Sequence, residues 1–283
     1  MIAKWRNNMK SGLHNDYGEQ WRQAMRLPNG GYSERAISDE AEKDFWKRYL
    51  AQKSVYQPDE YSVKIADEVC GLIQNVDAKS ILEIGPGWGN YSLRLAAICQ
   101  QYTCIDISKD VLEYVQRIAS ENNVQNITPL YGKWEDCTPT QCDVVFAYNC
   151  FYRMVEIEHC LGKINETADR LCIIGVNESP EQPYLSDFEQ ELRLPVRYTR
   201  MDCRDLEKVL HGLGICAECI SISNEREYAY DTFDEMLNRA VSYIAARYDE
   251  KAVLEILQRY YHFENGKYRC RHKFRSELLY WYK

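Results

Sequence analysis

Between residues 80 and 176 short apolar runs alternate with longer amphipathic stretches, and few architectures accommodate that order. The runs "SILEIG", "YTCID", "ITPLYG", "CDVVFAYN" and "RLCIIGV" have the length and apolar content of buried strands. Helical spacing of apolar residues fills the stretches between them, one of which starts after the N-cap candidate Ser108. Strand–helix alternation predicts a mostly parallel sheet with helices on both faces, a doubly wound α/β fold.

The flanking segments predict accessory helices and a closing strand. Residues 1–58 mix aromatic and charged residues around a "PNGGY" turn, which predicts a helical N-terminal cap. Residues 59–230 add a helix over 59–76, a helix over 204–213 and a strand "AECISIS" to the alternating core. Residues 231–265 predict a helical insertion, because amphipathic spacing follows a capping-box pair and a second helix is expected over 250–262.

Residues 266–283 alternate as a final strand would, with cations on every second position. Such a row is typical of a solvated face or a charge-guarded sheet edge, and an anion-binding surface is the alternative. The cations are Lys267, Arg269, Arg271, Lys273 and Arg275.

Composition and charge exclude several classes of protein. A formal net charge of −8 disfavours a general nucleic-acid binder. No apolar stretch approaches the roughly 20 residues of a membrane helix, and the first residues lack a secretory apolar centre, so a cytoplasmic protein is expected. The 12 cysteines are scattered, and Cys216–Cys219 and "CRH" at 270–272 fall at opposite ends of an expected hairpin. No metal site is predicted.

A glycine-rich turn follows the first strand of the alternation. Gly85, Gly87 and Gly89 would let a ligand approach the backbone and the N-terminus of the next helix. The dinucleotide fingerprint G-x-G-x-x-G/A requires Gly or Ala at position 90, which is Asn90. The turn is also preceded by an acid, Glu83, at the end of the strand.

The run Glu83, Gly85, Pro86, Gly87 and Gly89 resembles motif I, E/D-x-G-x-G-x-G, of the class I S-adenosylmethionine-dependent methyltransferases. The resemblance implies a seven-stranded, mostly parallel Rossmann-like sheet whose last two strands form a hairpin. It also implies S-adenosylmethionine as the cofactor, with an acid beside the ammonium of its amino-acid tail. Such an acid would repel the pyrophosphate of a nicotinamide dinucleotide.

Two later segments fall where this family binds the nucleoside. Asp106, followed by Ile107, ends the second strand and is similar to the acid that accepts hydrogen bonds from the ribose hydroxyls. "YGKWEDC" follows the third strand, where the family brackets adenine, and the resemblance implies Trp134 and Glu135 as contacts. Many members carry an acid at the position of Lys133, and Trp134 could instead be a core aromatic.

The segment "AYNCFY" after the fourth strand corresponds to motif IV, beside the transferred methyl group. Asn149 is therefore a candidate for cofactor binding and catalysis, and Tyr152 for catalysis. These two repeat the outer positions of the Asn-Pro-Pro-Tyr motif of nucleic-acid amino methyltransferases, whose prolines are here Cys150 and Phe151. Base methylation is therefore disfavoured.

The resemblance implies methyl transfer to a small molecule in a pocket covered by the cap and the insertion. A non-catalytic cofactor-sensing or partner-binding protein is the alternative from another class. Aminocarboxypropyl transfer from the same cofactor is a further alternative. The expected partner is a small-molecule acceptor, with neither nucleic acid nor membrane, and a homodimer is left open.

Overall fold

The computed structural model describes residues 16–53, 55–178, 182–198 and 200–283, so residues 1–15 of the expected cap lie outside the described residues. The strands are β1 (Ser80–Ile84), β2 (Gln101–Asp106), β3 (Ile127–Tyr131), β4 (Cys142–Tyr148), β5 (Ala168–Asn177), β6 (Glu218–Tyr230), β7 (His262–Glu264) and β8 (Lys267–Tyr282). The helices are α1 (Tyr17–Ala24), α2 (Glu34–Ile37), α3 (Asp39–Ala51), α4 (Glu60–Asn75), α5 (Ser92–Ala96), α6 (Lys109–Glu121), α7 (Ile157–Thr167), α8 (Tyr184–Gln190), α9 (Cys203–Gly212), α10 (Phe233–Val241) and α11 (Glu250–Leu257). A 3-10 turn spans Phe151–Arg153.

The sheet has the order β3-β2-β1-β4-β5-β8-β6, and β7 pairs with β8 outside this path. β1 to β5 are mutually parallel, while β8 runs antiparallel to both β5 and β6. This arrangement confirms the doubly wound, mostly parallel, Rossmann-like fold. The short β7 is an addition, because the second insertion helix ends at Leu257 and a tight turn with positive φ at Asn265 and Gly266 leads back into β8.

The parallel order places the carboxyl ends of β1, β2 and β4 at one edge of the sheet. The chain leaves β1 for one side of the sheet and β4 for the other, so a crevice opens between their ends. Apolar side chains cover both sheet faces, in one core beneath α7 and α9 and another beneath α4 and α6. The polar side chains at the strand ends therefore lie next to a closely packed apolar core.

The strands β6 and β8 extend beyond the rest of the sheet. They pair from Glu218↔Tyr280 to Tyr230↔Tyr268, whereas β5 meets β8 only over Leu171–Asn177. Residues 223–230 and 268–275 therefore form a two-stranded ribbon, called the ribbon below. β6 is accordingly longer than the predicted "AECISIS".

Acidic side chains neutralise most of the predicted row of cations. Arg269 and Arg271 both bind Glu227, across the two strands of the ribbon. Arg275 and Lys267 bind Glu178 and Asp231 respectively. A solvated, paired face fits these contacts better than an anion-binding surface does.

The helices of residues 231–265 pack on the ribbon. α10 and α11 share a core with α8, a helix that the sequence did not predict. Buried members of this core include Tyr184, Phe188, Met236, Ile256 and Cys270. The insertion and the segment after β5 thus form a second packed layer beside the ribbon.

The described part of the cap is tied to the strand-end loops. The indole of Trp21 in α1 donates to the carbonyl oxygen of Met154 at 2.8 Å. Arg153 donates to the carbonyl oxygens of Arg35 and Ser38 and binds the carboxylate of Asp39. The cap helices α2 and α3 are thereby held over the edge of the sheet where the crevice opens.

The described residues also bear on the possibility of a metal site and of a membrane-spanning helix. Cys219 pairs with Leu279 and Cys270 pairs with Tyr228, which places the two cysteines far apart along β6 and β8. Among the described residues no group of three or more His, Cys, Asp or Glu side chains could hold a metal ion. No helix in the same ranges has both the length and the apolar character that crossing a membrane requires.

Candidate functional site

A cavity of about 320 Å³ lies at the carboxyl ends of β1, β2 and β4. Loops that follow these strands form its floor, and cap residues form much of its roof. Of the predicted site residues, those that line it are Gly85, Pro86, Gly87, Asp106, Ile107, Trp134, Glu135, Asn149 and Tyr152. The topology thus brings together residues spread over more than sixty positions of sequence.

The glycine turn runs close under its neighbours. Gly85 has φ of +68°, and a Cβ there would lie 2.8 Å from the Cβ of Cys150. Gly87 has φ of +56°, and its Cβ would lie 2.9 Å from the indole of Trp46 in the cap. Both conformation and space therefore require glycine at these two positions.

The remaining two predicted residues lie behind the wall of the cavity. Glu83 is 2% exposed, and its Oε2 accepts hydrogen bonds from Ser92 Oγ at 2.5 Å and Tyr102 OH at 2.6 Å. Burial raises the pKa of the Glu83 carboxyl to about 7. Gly89 makes room for the Ile118 side chain of α6. These residues support the turn from below, which differs from the expectation that Glu83 faces a ligand.

Asp106 is a buried acid that faces the cavity. Its Oδ1 accepts a hydrogen bond from the backbone N–H of Ser108 at 2.8 Å. Within the described residues no hydrogen bond engages Oδ2. Burial raises the pKa of the Asp106 carboxyl to about 7, and nearby Glu42 adds to this effect. A carboxyl so placed can accept hydrogen bonds from a ligand hydroxyl group.

Trp134 combines the two roles that the sequence left open. The side chain lines the cavity, yet it is 4% exposed and its indole N–H donates to the Cys160 carbonyl oxygen at 3.2 Å. The ammonium of Lys163 lies 4.7 Å from the ring centroid. Trp134 is therefore a core aromatic that also borders the cavity beside Glu135.

The side chains of both catalytic candidates are engaged in hydrogen bonds within the protein. Asn149 has φ of +52°, and its Oδ1 accepts a hydrogen bond from the backbone N–H of Asn177 at 2.8 Å. The hydroxyl of Tyr152 donates to Glu42 and accepts from Arg35 Nη2 at 2.9 Å. Burial raises the pKa of Tyr152 well above its ordinary value. The Tyr152 hydroxyl therefore links Glu42 to Arg35.

Sequence reasoning missed the contribution of α3. Glu42, Phe45, Trp46 and Tyr49 line the cavity at i, i+3, i+4 and i+7 spacing, a pattern that was visible in the sequence. Glu42 is 2% exposed and accepts hydrogen bonds from Arg35 Nε and Trp46 Nε1, both at 2.7 Å. One face of α3 therefore roofs the cavity.

Sequence reasoning also missed three residues at the α4 side of the cavity, Asp59, Asn90 and Tyr91. Asp59 Oδ2 accepts from Asn90 Nδ2 at 3.0 Å, and Asp59 N donates to Asn90 Oδ1 at 2.8 Å. Tyr91 is 5% exposed, and its hydroxyl has no hydrogen-bond partner in the part of the chain that the structure describes. Their positions beside the glycine turn and at the start of a helix were the available indications.

The insertion does not contribute to this cavity. Among the described residues, none from 231–265 lines it, whereas the cap residues do. The reason is that α10 and α11 bury their apolar faces against α8 and the ribbon. The sequence predicted that the cap and the insertion together cover the pocket. Among the described residues, the cap alone contributes to this cover.

One family model matches part of this chain, and solved structures of known proteins share its fold. Residues 81–175 match the family model described as a methyltransferase domain. The ribosomal RNA small subunit methyltransferase G of Psychrobacter sp. (strain PRwf-1) is 24% identical over 102 residues. That match covers 35% of this chain and 45% of the relative, less than half of its length.

Solved structures share the architecture at low identity. Magnesium protoporphyrin IX methyltransferase from Synechocystis PCC 6803, solved with bound S-adenosylhomocysteine, gives a TM-score of 0.52 at 14% identity, over 86% of this chain and 99% of that one. The cyclase SpnF gives 0.53 at 15% identity, over 88% and 97%. These likenesses show the fold alone, and the cyclase illustrates that the fold hosts more than one chemistry.

Proposed function

We propose that this chain, whose residues 81–175 match a methyltransferase-domain model, transfers a methyl group from S-adenosylmethionine to a small-molecule acceptor. The observation that carries this proposal is the buried Asp106 facing the same cavity as the glycine turn at Gly85 and Gly87. The family implies S-adenosylmethionine as the cofactor, and the reaction and its acceptor are what we propose.

The residues present suit a sulfonium nucleoside. Gly85 and Gly87 line the cavity at the β1 end, where Cys150 and Trp46 approach their backbone closely, and Asp106 Oδ2 is available to ribose hydroxyls at the β2 end. Ile107, Trp134 and Glu135 border the place where adenine would lie. When bound, S-adenosylmethionine supplies an activated methyl group; the acceptor gains it and loses a proton, and the sulfur keeps the electron pair of the broken bond.

Charge and enclosure support a small acceptor. Four acidic side chains line the cavity, namely Glu42, Asp59, Asp106 and Glu135, together with the basic side chains of Arg35, Lys133 and Arg153. The formal net charge of −8 of the chain opposes binding to a phosphate backbone. The cap roof further limits what can reach the strand ends, and a closed site excludes water from the reacting groups. Positioning of the acceptor is the main contribution required of the protein.

Two measurements test the proposal. Isothermal titration with S-adenosylhomocysteine should show binding to the wild-type protein, and Asp106→Asn should weaken it about 10- to 100-fold, because an acceptor oxygen for the ligand hydroxyl groups is replaced by an amide donor. The exposed Asp169→Asn is the matched control and should bind as the wild type does. Absence of binding to the wild type at millimolar concentration contradicts the proposal.

The acceptor class is tested with S-adenosylmethionine labelled in its methyl group. Parallel reactions contain a metabolite extract or purified ribosomal RNA. Label in a small molecule supports the proposal, and label confined to RNA contradicts the acceptor class. Cofactor binding without any labelled product favours the non-catalytic alternative.

A further inference from the structure

We infer that the side-chain amide of Asn149 donates hydrogen bonds to the methyl acceptor, and that this acceptor therefore carries a carbonyl or carboxylate oxygen. This inference rests on the proposed function, because it assigns a ligand group to the cavity in which methyl transfer is proposed. Asn149 directly follows β4 and lines that cavity.

The first observation is that the Asn149 side chain extends the hydrogen-bonded ladder between β4 and β5. The backbone N–H of Asn149 donates to the carbonyl oxygen of Gly175 at 2.9 Å. The backbone N–H of Asn177 then donates to Asn149 Oδ1 at 2.8 Å, so the side chain takes the place of a further backbone carbonyl group. A backbone N–H can only donate, and the amide atom that faces Asn177 is therefore the oxygen.

The second observation concerns the nitrogen of the same amide group. Within the described residues no hydrogen bond engages Asn149 Nδ2, and this atom is not one of the unpaired side-chain atoms that those residues enclose completely. Its two hydrogens remain available while the oxygen is held toward β5. Because Asn149 lines the cavity, a ligand there can receive them.

The third observation is that a buried network holds the partner of Asn149. Asn177 Oδ1 accepts hydrogen bonds from Tyr148 OH at 2.6 Å and from Ser276 Oγ at 2.7 Å. Ser276 Oγ in turn accepts from Asn224 Nδ2 at 2.7 Å. Asn177, Ser276 and Asn224 are buried on β5, β8 and β6 respectively. Three strands thus fix the residue that orients the Asn149 amide.

Hydrogen-bond chemistry selects the ligand group at this position. An amide N–H can only donate, so its partner must offer a lone pair, which carbonyl and carboxylate oxygens do and an ammonium does not. Charge does not make the selection, because Arg35 binds Glu42 and Arg153 binds Asp39 in the roof of the cavity. The inference therefore covers neutral carbonyl groups and carboxylates alike.

The position of Asn149 favours the acceptor over the cofactor as its partner. Gly85 and Asp106, at the ends of β1 and β2, are proposed to hold the nucleoside. β4 lies on the other side of β1 from β2, so Asn149 lies at the opposite end of the row of strand ends from Asp106. An acceptor must approach the methyl group from the side away from the sulfur, and a donor beside the nucleoside site can orient it there.

The experiment compares two substitutions of Asn149 with the same substitutions of Asn265. Asn149→Asp keeps an oxygen for the N–H of Asn177 but replaces the donor by a second acceptor. Asn149→Gly removes the side chain without adding charge, and glycine suits φ of +52°. Asn265 also has positive φ, +50°, but lies in the exposed turn between β7 and β8, so Asn265→Asp and Asn265→Gly are matched controls.

Two measurements are made on the wild type and on all four variants. Each protein is titrated with S-adenosylhomocysteine. Each is also incubated with a metabolite extract and S-adenosylmethionine labelled in its methyl group, and the labelled products are quantified and identified by tandem mass spectrometry.

Asn149→Asp and Asn149→Gly should each lower the yield of labelled product at least about tenfold and change the affinity for S-adenosylhomocysteine by less than about threefold. The Asn265 variants should match the wild type in both measurements. Asn149→Asp should melt close to the wild type, because the hydrogen bond from Asn177 is retained, which separates the loss of product from a loss of folding. The labelled product should contain a carbonyl or carboxyl group.

The inference is overturned if either Asn149 variant gives as much product as its Asn265 control, since both lack the amide N–H groups. It is also overturned if the labelled product has no carbonyl or carboxyl oxygen. Binding of S-adenosylhomocysteine that is about tenfold weaker in both Asn149 variants overturns it as well, because the amide would then serve the cofactor. Failure of the proposed function looks different, because the wild type itself would then bind no S-adenosylhomocysteine or label no small molecule, and the inference would fall with it.

Discussion

The cavity at the strand ends and the ribbon are both rich in charged side chains, but they arrange them in opposite ways. Asp106 at the cavity is 8% exposed and Glu83 behind its wall is 2% exposed, and burial raises the pKa of each carboxyl to about 7. On the ribbon, Glu227 is paired by Arg271 and Arg269, which lower its pKa. Costly buried acids therefore occur where a ligand is proposed, and the ribbon carries its charges at the surface.

Their aromatic side chains differ in the same way. In the core beside the ribbon, Tyr261 lies 5.9 Å from Tyr184 and 6.0 Å from Tyr230, centroid to centroid, so the rings fill space among themselves. At the cavity, Trp46, Tyr49 and Tyr91 border a volume of about 320 Å³. Aromatic side chains thus fill the core beside the ribbon, whereas at the cavity they surround an open volume. Substitutions matched between the two regions test this distinction.

The largest effect is expected from the turn glycines. Gly85→Ala should lower the free energy of unfolding by about 4 kcal/mol and abolish S-adenosylhomocysteine binding, because positive φ and the 2.8 Å approach to Cys150 both oppose a side chain. Gly266→Ala, at φ of +76° beside the ribbon with nothing within 4 Å, should cost only about 1 kcal/mol and leave binding unchanged. Urea denaturation and titration measure both. Equal losses in the free energy of unfolding for the two variants would contradict the distinction between the two turns.

A pH-dependent effect is expected from Glu83. Its folded pKa of about 7 exceeds the ordinary 4.5, so the folded state holds a proton that the unfolded state lacks between these values. The free energy of unfolding therefore falls as the pH rises through this window. Glu83→Gln keeps an acceptor for Ser92 and Tyr102 but does not titrate. Relative to the wild type, it should gain about 3 kcal/mol between pH 4.5 and pH 8.

Urea denaturation of both proteins at pH 4.5, 6 and 8 measures this difference; Asp106 titrates in both, and the charge of Glu83 is only a minor cause of its raised pKa, after burial and Glu42. S-adenosylhomocysteine affinity of Glu83→Gln should stay within about threefold of the wild type, because Glu83 lies behind the cavity wall. A loss of affinity of about tenfold or more would instead support the direct ammonium contact expected from the sequence.

A smaller effect is expected from Tyr152→Phe. The hydroxyl joins Glu42 to Arg35, so its loss should lower the free energy of unfolding by about 1 kcal/mol. Methyl transfer should remain within about tenfold of the wild type, since a catalytic base would be worth about 100-fold or more. A steady-state assay with S-adenosylmethionine tests this. A loss beyond 100-fold in a folded variant would make Tyr152 catalytic.

The smallest effect is expected on the ribbon. Glu227→Gln removes the acidic partner of Arg269 and Arg271 at the surface, where ion pairs contribute little. The pKa of Glu227 is lowered, so its contribution is present at neutral pH and is lost as the pH falls, opposite in sign to that of Glu83. Thermal melting at pH 7 and pH 3 should show this trend. Nucleoside affinity should not change, and a change would link the ribbon to the cavity.

The sequence predicted the sheet and the residues at its strand ends because both follow from local patterns. The turn at Gly85, the acid Asp106 and the segment around Asn149 each follow an apolar run, and parallel order then gathers them at one edge. The helix expected over 89–98 is shorter, Ser92–Ala96, because the glycine turn continues through Tyr91.

What escaped prediction depends on packing between distant segments. The seven residues of α8, Tyr184–Gln190, are too few to show a period of 3.6. The charged run "NEREYAY" extends β6 because its partners lie on β8, which the sequence of β6 alone does not show. Glu42 and Trp46 reach the cavity only through the docking of α3. The unpartnered hydroxyl of Tyr91 becomes evident only when its surroundings are known.

The order of the sheet has a consequence for synthesis. β8 lies between β5 and β6, so a strand that leaves the ribosome after both of them joins the two. Until residue 276 has emerged, the backbone edge of β5 over Leu171–Asn177 has no partner there. A bare strand edge is a template for pairing with other chains. A nascent polypeptide stalled before β8 should therefore be far more prone to aggregation, or to chaperone capture, than a chain that includes β8.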